Sequence, residues 1–124
     1  MRYLLCVLTL LLSVEAGAHR FAPSLLEVRQ LSDNGLTATW KTPAQKVSAT
    51  PIEPQFPPDC KRTSESPWIQ EGTGMLRQIQ LTCPDGIVGK TLSVSGLGEN
   101  QSSALLRVYL AENVFHQAVF TADQ

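Results

Sequence analysis

The chain contains only two histidines, His19 and His116, and one of them stands where export processing would expose it. Met1–Arg2–Tyr3 gives a basic start, Leu4–Val14 is an apolar run, and Ala16–Gly17–Ala18 has the small-residue pattern of a signal-peptide cleavage site. Cutting after Ala18 would remove residues 1–18 and make His19 the first residue of a mature domain spanning 19–124. An N-terminal histidine can chelate a metal through its amine and its ring nitrogen. A second imidazole from His116 would then complete a T-shaped site, and nitrogen donors of this kind suit copper(II) or nickel(II). Against this, His116 shares its alternation face with Val114, Ala118 and Phe120, which is the pattern of an inward, satisfied histidine.

Cysteine is the second residue type with chemistry to offer. Cys6 lies inside the apolar run and would leave with the signal, so Cys60 and Cys83 remain. Two cysteines in an oxidising compartment are expected to pair. The bridge would close a loop of about two dozen residues, contributing roughly 3 kcal/mol in the chain-entropy model. The spacing lacks the C-x-x-C form of redox sites, so a structural disulfide is the expectation.

Other motifs lose their chemistry when their spacing is tested. Gly86–Ile87–Val88–Gly89–Lys90–Thr91 suggests a phosphate loop, but the position where its first glycine belongs is Pro84, and the stretch Thr91–Gly96 reads as a strand rather than a helix. Gly96 and Gly98 lack the third glycine of a dinucleotide fingerprint. There is no G-x-S-x-G elbow and no calcium loop rich in Asp and Asn, and any Ser/His/Asp triad would have to borrow His19 or His116. Glu27 and Glu53 could be imagined as an acid/base pair, yet both fall where carboxylates are ordinarily solvated. Asn100–Gln101–Ser102 matches a glycosylation sequon, a pattern common by chance. The expectation is a non-enzymatic protein with no catalytic residues and no bound nucleotide.

The elements that would position these residues are strands. Ser24–Leu31 and Leu36–Thr42 alternate around Asp33–Asn34–Gly35, a strong hairpin signal that sends Trp40 into the core. Pro43, Pro51, Pro54, Pro57 and Pro58 then restrict the chain to irregular structure, with Ala49–Glu53 as a short edge strand. Alternation resumes over Met75–Cys83, Lys90–Gly96, Ala104–Leu110 and Val114–Thr121, with a tight turn at Glu112–Asn113. No segment after residue 18 sustains a helical period. The fold class expected is all-β, an antiparallel β-sandwich of about six to eight short strands following a cleavable signal peptide.

Composition bounds the partners. The formal net charge is −1, and loss of residues 1–18 leaves it unchanged, since Arg2 and Glu15 leave together. With no basic stripe, nucleic acid is not an expected partner. The apolar run is far shorter than the roughly 20 residues that span a bilayer, and no later stretch is long enough to cross. The expected location is periplasmic or otherwise extracytoplasmic.

Several short motifs in order resemble the N-terminal extracytoplasmic segment of HupE/UreJ-type membrane proteins. They are Ala18–His19–Arg20–Phe21–Ala22–Pro23, Leu25–Leu26–Glu27, Trp40–Lys41–Thr42–Pro43 and Phe56–Pro57–Pro58–Asp59–Cys60. The likeness returns at Cys83, Gly86–Ile87, Gly89, Val94–Ser95–Gly96–Leu97 and Leu105–Leu106–Arg107–Val108. In such proteins this segment precedes a bundle of transmembrane helices, and some relatives are associated with nickel supply to hydrogenase or urease. This chain stops at Gln124 before any span, so the resemblance implies either a truncated membrane protein or a free-standing version. It implies a membrane protein, or the absent transmembrane region, as partner, and no catalytic residues.

Overall fold

A computed structural model of the protein describes residues 22–122; the expected signal segment 1–18 and His19 lie outside the described residues. The chain opens with β1 (Ser24–Gln30) and β2 (Gly35–Pro43), paired antiparallel in the register Leu26 to Trp40 and Val28 to Ala38. Their alternation is the one written in the sequence. Ser24, Leu26 and Val28 and their neighbours Leu36, Ala38, Trp40 and Thr42 are buried, while the intervening residues face the other way. Trp40 is in the core, as its place in the hairpin requires. At the hairpin turn, the amides of Leu31 and Ser32 donate to the Gly35 carbonyl.

Seven strands form the main sheet: β1 and β2 with β4 (Lys61–Glu65), β5 (Ile69–Glu71), β6 (Gly74–Thr82), β8 (Ala104–Tyr109) and β9 (Phe115–Phe120). The order is β4-β6-β2-β1-β8-β9, with β5 continuing the β4 edge along β6. A two-stranded ribbon, β3 (Glu53–Gln55) with β7 (Ser93–Ser95), makes the second layer. The all-β class is as the sequence predicts, and among the described residues the only helical turn is a 3-10 segment at Ala111–Asn113. No helix among them is long and apolar enough to cross a membrane.

Two details depart from the expected antiparallel sandwich. The pairing of β1 with β8 is parallel, Leu26 beside Leu106 and Val28 beside Val108, because the chain leaves β1 into a hairpin and returns only after building the far half of the sheet. Local alternation carries no information about which distant strand will become a neighbour. The layers are also unequal, since the proline-rich stretch yields one three-residue strand rather than a full second sheet. β4 and β5 are not legible in the alternation. Every residue in both is exposed, and an edge strand wetted on both faces has no apolar period to display.

The apolar face of the sheet is sealed over β1, β2 and β6 by Ile52, Ile87 and Leu97, with Phe56 and Val94 packed against them. Three devices fasten this cover. Cys60 and Cys83 form the expected disulfide, continuing the β4–β6 register one step beyond the Lys61–Thr82 pair. Gly96 sits at φ +83°, and a Cβ there would lie 2.1 Å from the Pro51 carbonyl oxygen, so only glycine allows this approach. Asn100 is 2% exposed; its Nδ2 donates to the carbonyls of Thr50 and Gly96, each at 2.8 Å, and its Oδ1 accepts from the Ser48 amide.

Asn100 thus ties the loop before β3 to the loop after β7. Asn100→Ala leaves the Thr50 carbonyl and the Ser48 amide without this partner, while the Gly96 carbonyl keeps the backbone amide of residue 100, and the expected cost is about 1–3 kcal/mol. Urea unfolding followed by Trp fluorescence measures it; an unchanged midpoint would remove Asn100 from this role.

Candidate functional site

Beyond β1 the cover thins: Ala104 and Val108 on β8 are still buried, but Leu106 and β9 are only partly covered or exposed. β8 and β9 continue the apolar face with Leu106, Val108, Ala118 and Phe120, and the segment 87–92 stands against them. Between that segment and the two strands lies an open groove of about 460 Å3, with Val88, Leu92 and Leu110 at its walls and His116 on β9 at its rim. Its volume is in the range of small-ligand sites and its lining is apolar with few polar groups. Val88 is 76% exposed, a large apolar side chain at a wall with nothing against it among the described residues.

The wall is held by one lysine. The Lys90 ammonium donates to Asp59 Oδ2 at 2.7 Å and to the Pro84 carbonyl, pinning segment 87–92 beside the disulfide. The hydrogen bond from Lys90 holds the Asp59 carboxyl below its ordinary value, against the slight effect of burial. A carboxyl whose value is lowered on folding keeps its contact at neutral pH and loses it only as pH falls through that lowered value. The same geometry disposes of the phosphate-loop likeness. Gly86–Thr91 folds as turns leading towards β7 and not into a helix, and its lysine is already engaged.

The edge strand gives the groove a second kind of surface. The Leu110 amide donates to the Val114 carbonyl at 2.8 Å, which fixes the phase of the β8–β9 ladder. Hydrogen-bonded pairs alternate along an antiparallel ladder, so His116, Ala118 and Phe120 bond to β8. Phe115, Gln117 and Val119 therefore turn their amides and carbonyls away from it, to an edge that no other strand pairs among the described residues. On the outer face, Phe115 packs on Tyr109 with ring centroids 4.9 Å apart, and the Arg29 guanidinium lies over Tyr109.

The structure brings together only some of the residues singled out in the sequence. Cys60 and Cys83 are joined. His116 lies on the inner face, in phase with Ala118 and Phe120, but it is exposed, because the cover does not reach β9. His19 lies outside the described residues. The first described residues, Ala22 and Pro23, line a shallow cleft with Lys41, Pro43 and Gly72, on the β2–β6 side of β1 rather than the β8–β9 side. Among the described residues, no group of three or more His, Cys, Asp or Glu could hold a metal ion. Glu27 pairs with Arg29 on the outer face of the main sheet, whereas Glu53 belongs to the covering ribbon, so the two carboxylates do not converge. The side-chain nitrogen of the Asn100 sequon is buried and doubly bonded, which leaves it no room for a glycan in the folded protein.

Two features are absent from the sequence expectations: the groove wall and the free edge. The uncharged run Val114–Phe120 carries a signal for the edge, and nothing in the local pattern of 87–92 announces that it stands apart from β8. No family model matches the chain, and no curated protein matches it.

Lys90→Ala should free the wall without unfolding the domain, since the contact is a partly exposed ion pair. Amide exchange across 87–92 is expected to quicken severalfold while that of β1 and β2 stays unchanged. Equal exchange in both proteins would show that packing, not Lys90, holds the wall.

Proposed function

We propose that this protein is an exported, non-enzymatic interaction domain, the extracytoplasmic accessory part of a HupE/UreJ-like membrane system, and that it binds through the β8–β9 groove and edge. The single observation that carries the reading is the apolar groove left open beside a strand edge that nothing pairs among the described residues. A monomeric domain ordinarily covers or blunts such surface, and where it does not, the surface marks a contact site. The disulfide is compatible with an oxidising compartment. The motif order from Ala18 to Val108 supports the membrane-protein context, and the groove supplies the means of contact.

Two measurements on cells expressing the full chain test this. Intact mass should show loss of residues 1–18, with both remaining cysteines oxidised. A photo-crosslinking residue at Val88 should then trap a membrane protein, while one at Thr39, on the opposite face of the sheet, should not. An unprocessed chain with free thiols, or equal trapping at the two positions, would overturn the proposal.

A further inference from the structure

The two edges of the main sheet are built differently. At the β4–β5 edge the register slips between Arg62 and Ser64, Pro67 interrupts the strand, and Lys61, Arg62 and Glu65 put charge along the rim. These are the devices by which natural sheets prevent strand addition. The β9 edge has none of them. Phe115–Phe120 runs without a register shift, and from Val114 to Phe120 there is no proline, lysine, arginine or carboxylate.

From this contrast we infer that β9 pairs antiparallel with β9 of a second copy of this chain, about a two-fold axis at Gln117. The inference rests on the reading of the β8–β9 side as the interaction surface and divides it, giving the β9 edge to a second copy and leaving the groove to the membrane partner. Only Phe115, Gln117 and Val119 present free backbone groups, and only an axis at Gln117 uses all three. Phe115 then faces Val119 of the second copy, Gln117 faces Gln117, and Val119 faces Phe115. Each of these pairs exchanges two hydrogen bonds, about six in all. An axis one residue to either side pairs two of the three and leaves the third unmatched.

The side chains fit the same register. On the outer face the exposed Phe115 and Val119 meet as aromatic and β-branched neighbours, the kind of cross-strand pair that stabilises sheets. Gln117 meets its own amide. On the inner face His116 lies opposite Ala118, and the exposed Val114 lies opposite Phe120. No like charges are brought opposite one another anywhere along the strand, and a net charge of −1 per chain gives little long-range repulsion. The two sheets merge into one, with a groove from each copy on the same face beside the new seam. An isologous contact of this kind closes on itself and does not propagate into a fibre.

Sedimentation and disulfide trapping on the full chain, purified with the Cys60–Cys83 bridge intact, test this. A reversible dimer is expected whose affinity changes little with salt, because no ion pair contributes. Gln117→Cys should form a covalent dimer under mild oxidation. Val119→Cys alone should not, but should cross-link when mixed with Phe115→Cys. Val119→Lys, at a site already 56% exposed, should fold normally and weaken the dimer by about tenfold or more. A protein that stays monomeric at the highest attainable concentration overturns the self-pairing, as does a dimer that Val119→Lys leaves unchanged. If the Val88 adducts persist in a monomer, the groove reading survives; if they vanish as well, both fail.

Discussion

A seven-stranded sheet with one apolar face needs a second layer of comparable width, and the described residues supply two three-residue strands and a few loop side chains. That shortage governs the rest of the structure. The available cover is placed over the middle and one side of the sheet, where Leu26, Ala38, Ile79 and Leu81 are sealed. The cost is deferred to Leu106 on β8 and to β9, which remain partly or wholly wetted, while Ala104 and Val108 are still covered. The groove is the place where the cover stops, between segment 87–92 and the strands β8 and β9.

A cover this small must be fastened rather than merely packed. Burial of a handful of side chains at about 25 cal/mol per Å2 does not by itself offset the entropy of ordering long loops. The fastenings are correspondingly specific. Gly96 lets the chain pass against the Pro51 carbonyl, Asn100 bridges the loops on either side of the ribbon, and Cys60–Cys83 anchors the proline-rich stretch to the end of β6. The turn at Asp33–Gly35 adds to this, since the Asn34 carbonyl accepts from the Cys83 amide and its side chain from that of Asp85. Lys90 extends the same anchoring one step further, to the wall of the groove.

Those features are unequally legible in the sequence. The β1–β2 hairpin, β6 and β8 are readable because strands covered on one face carry a two-residue period, whereas β9, exposed on both faces, is readable from its apolar residue types and the turn before it. The disulfide is readable because the two cysteines that remain after residue 18 have one partner each. β4 and β5 are not, since solvent on both faces erases the period, and the parallel β1–β8 pairing is not, since it joins segments some eighty residues apart. His116 shows the limit most sharply. Its phase is the expected one, but burial depends on whether another layer arrives above it, and alternation along one strand says nothing of that. Asn100 shows the reverse: nothing in its sequon, a pattern common by chance, announces that the fold uses its amide as an internal brace.

Among the described residues cover and pairing both end at β9, leaving one side of that strand free, and amide hydrogen exchange resolved by residue tests this most directly. Slow exchange is expected at Leu26, Ala38 and Ile79, with protection of His116, Ala118 and Phe120 at every concentration. At Phe115, Gln117 and Val119 exchange should be fast in dilute protein and slow down as concentration rises. Slow exchange at those three amides in the most dilute sample would mean that the edge is already paired within one chain, and would contradict the account.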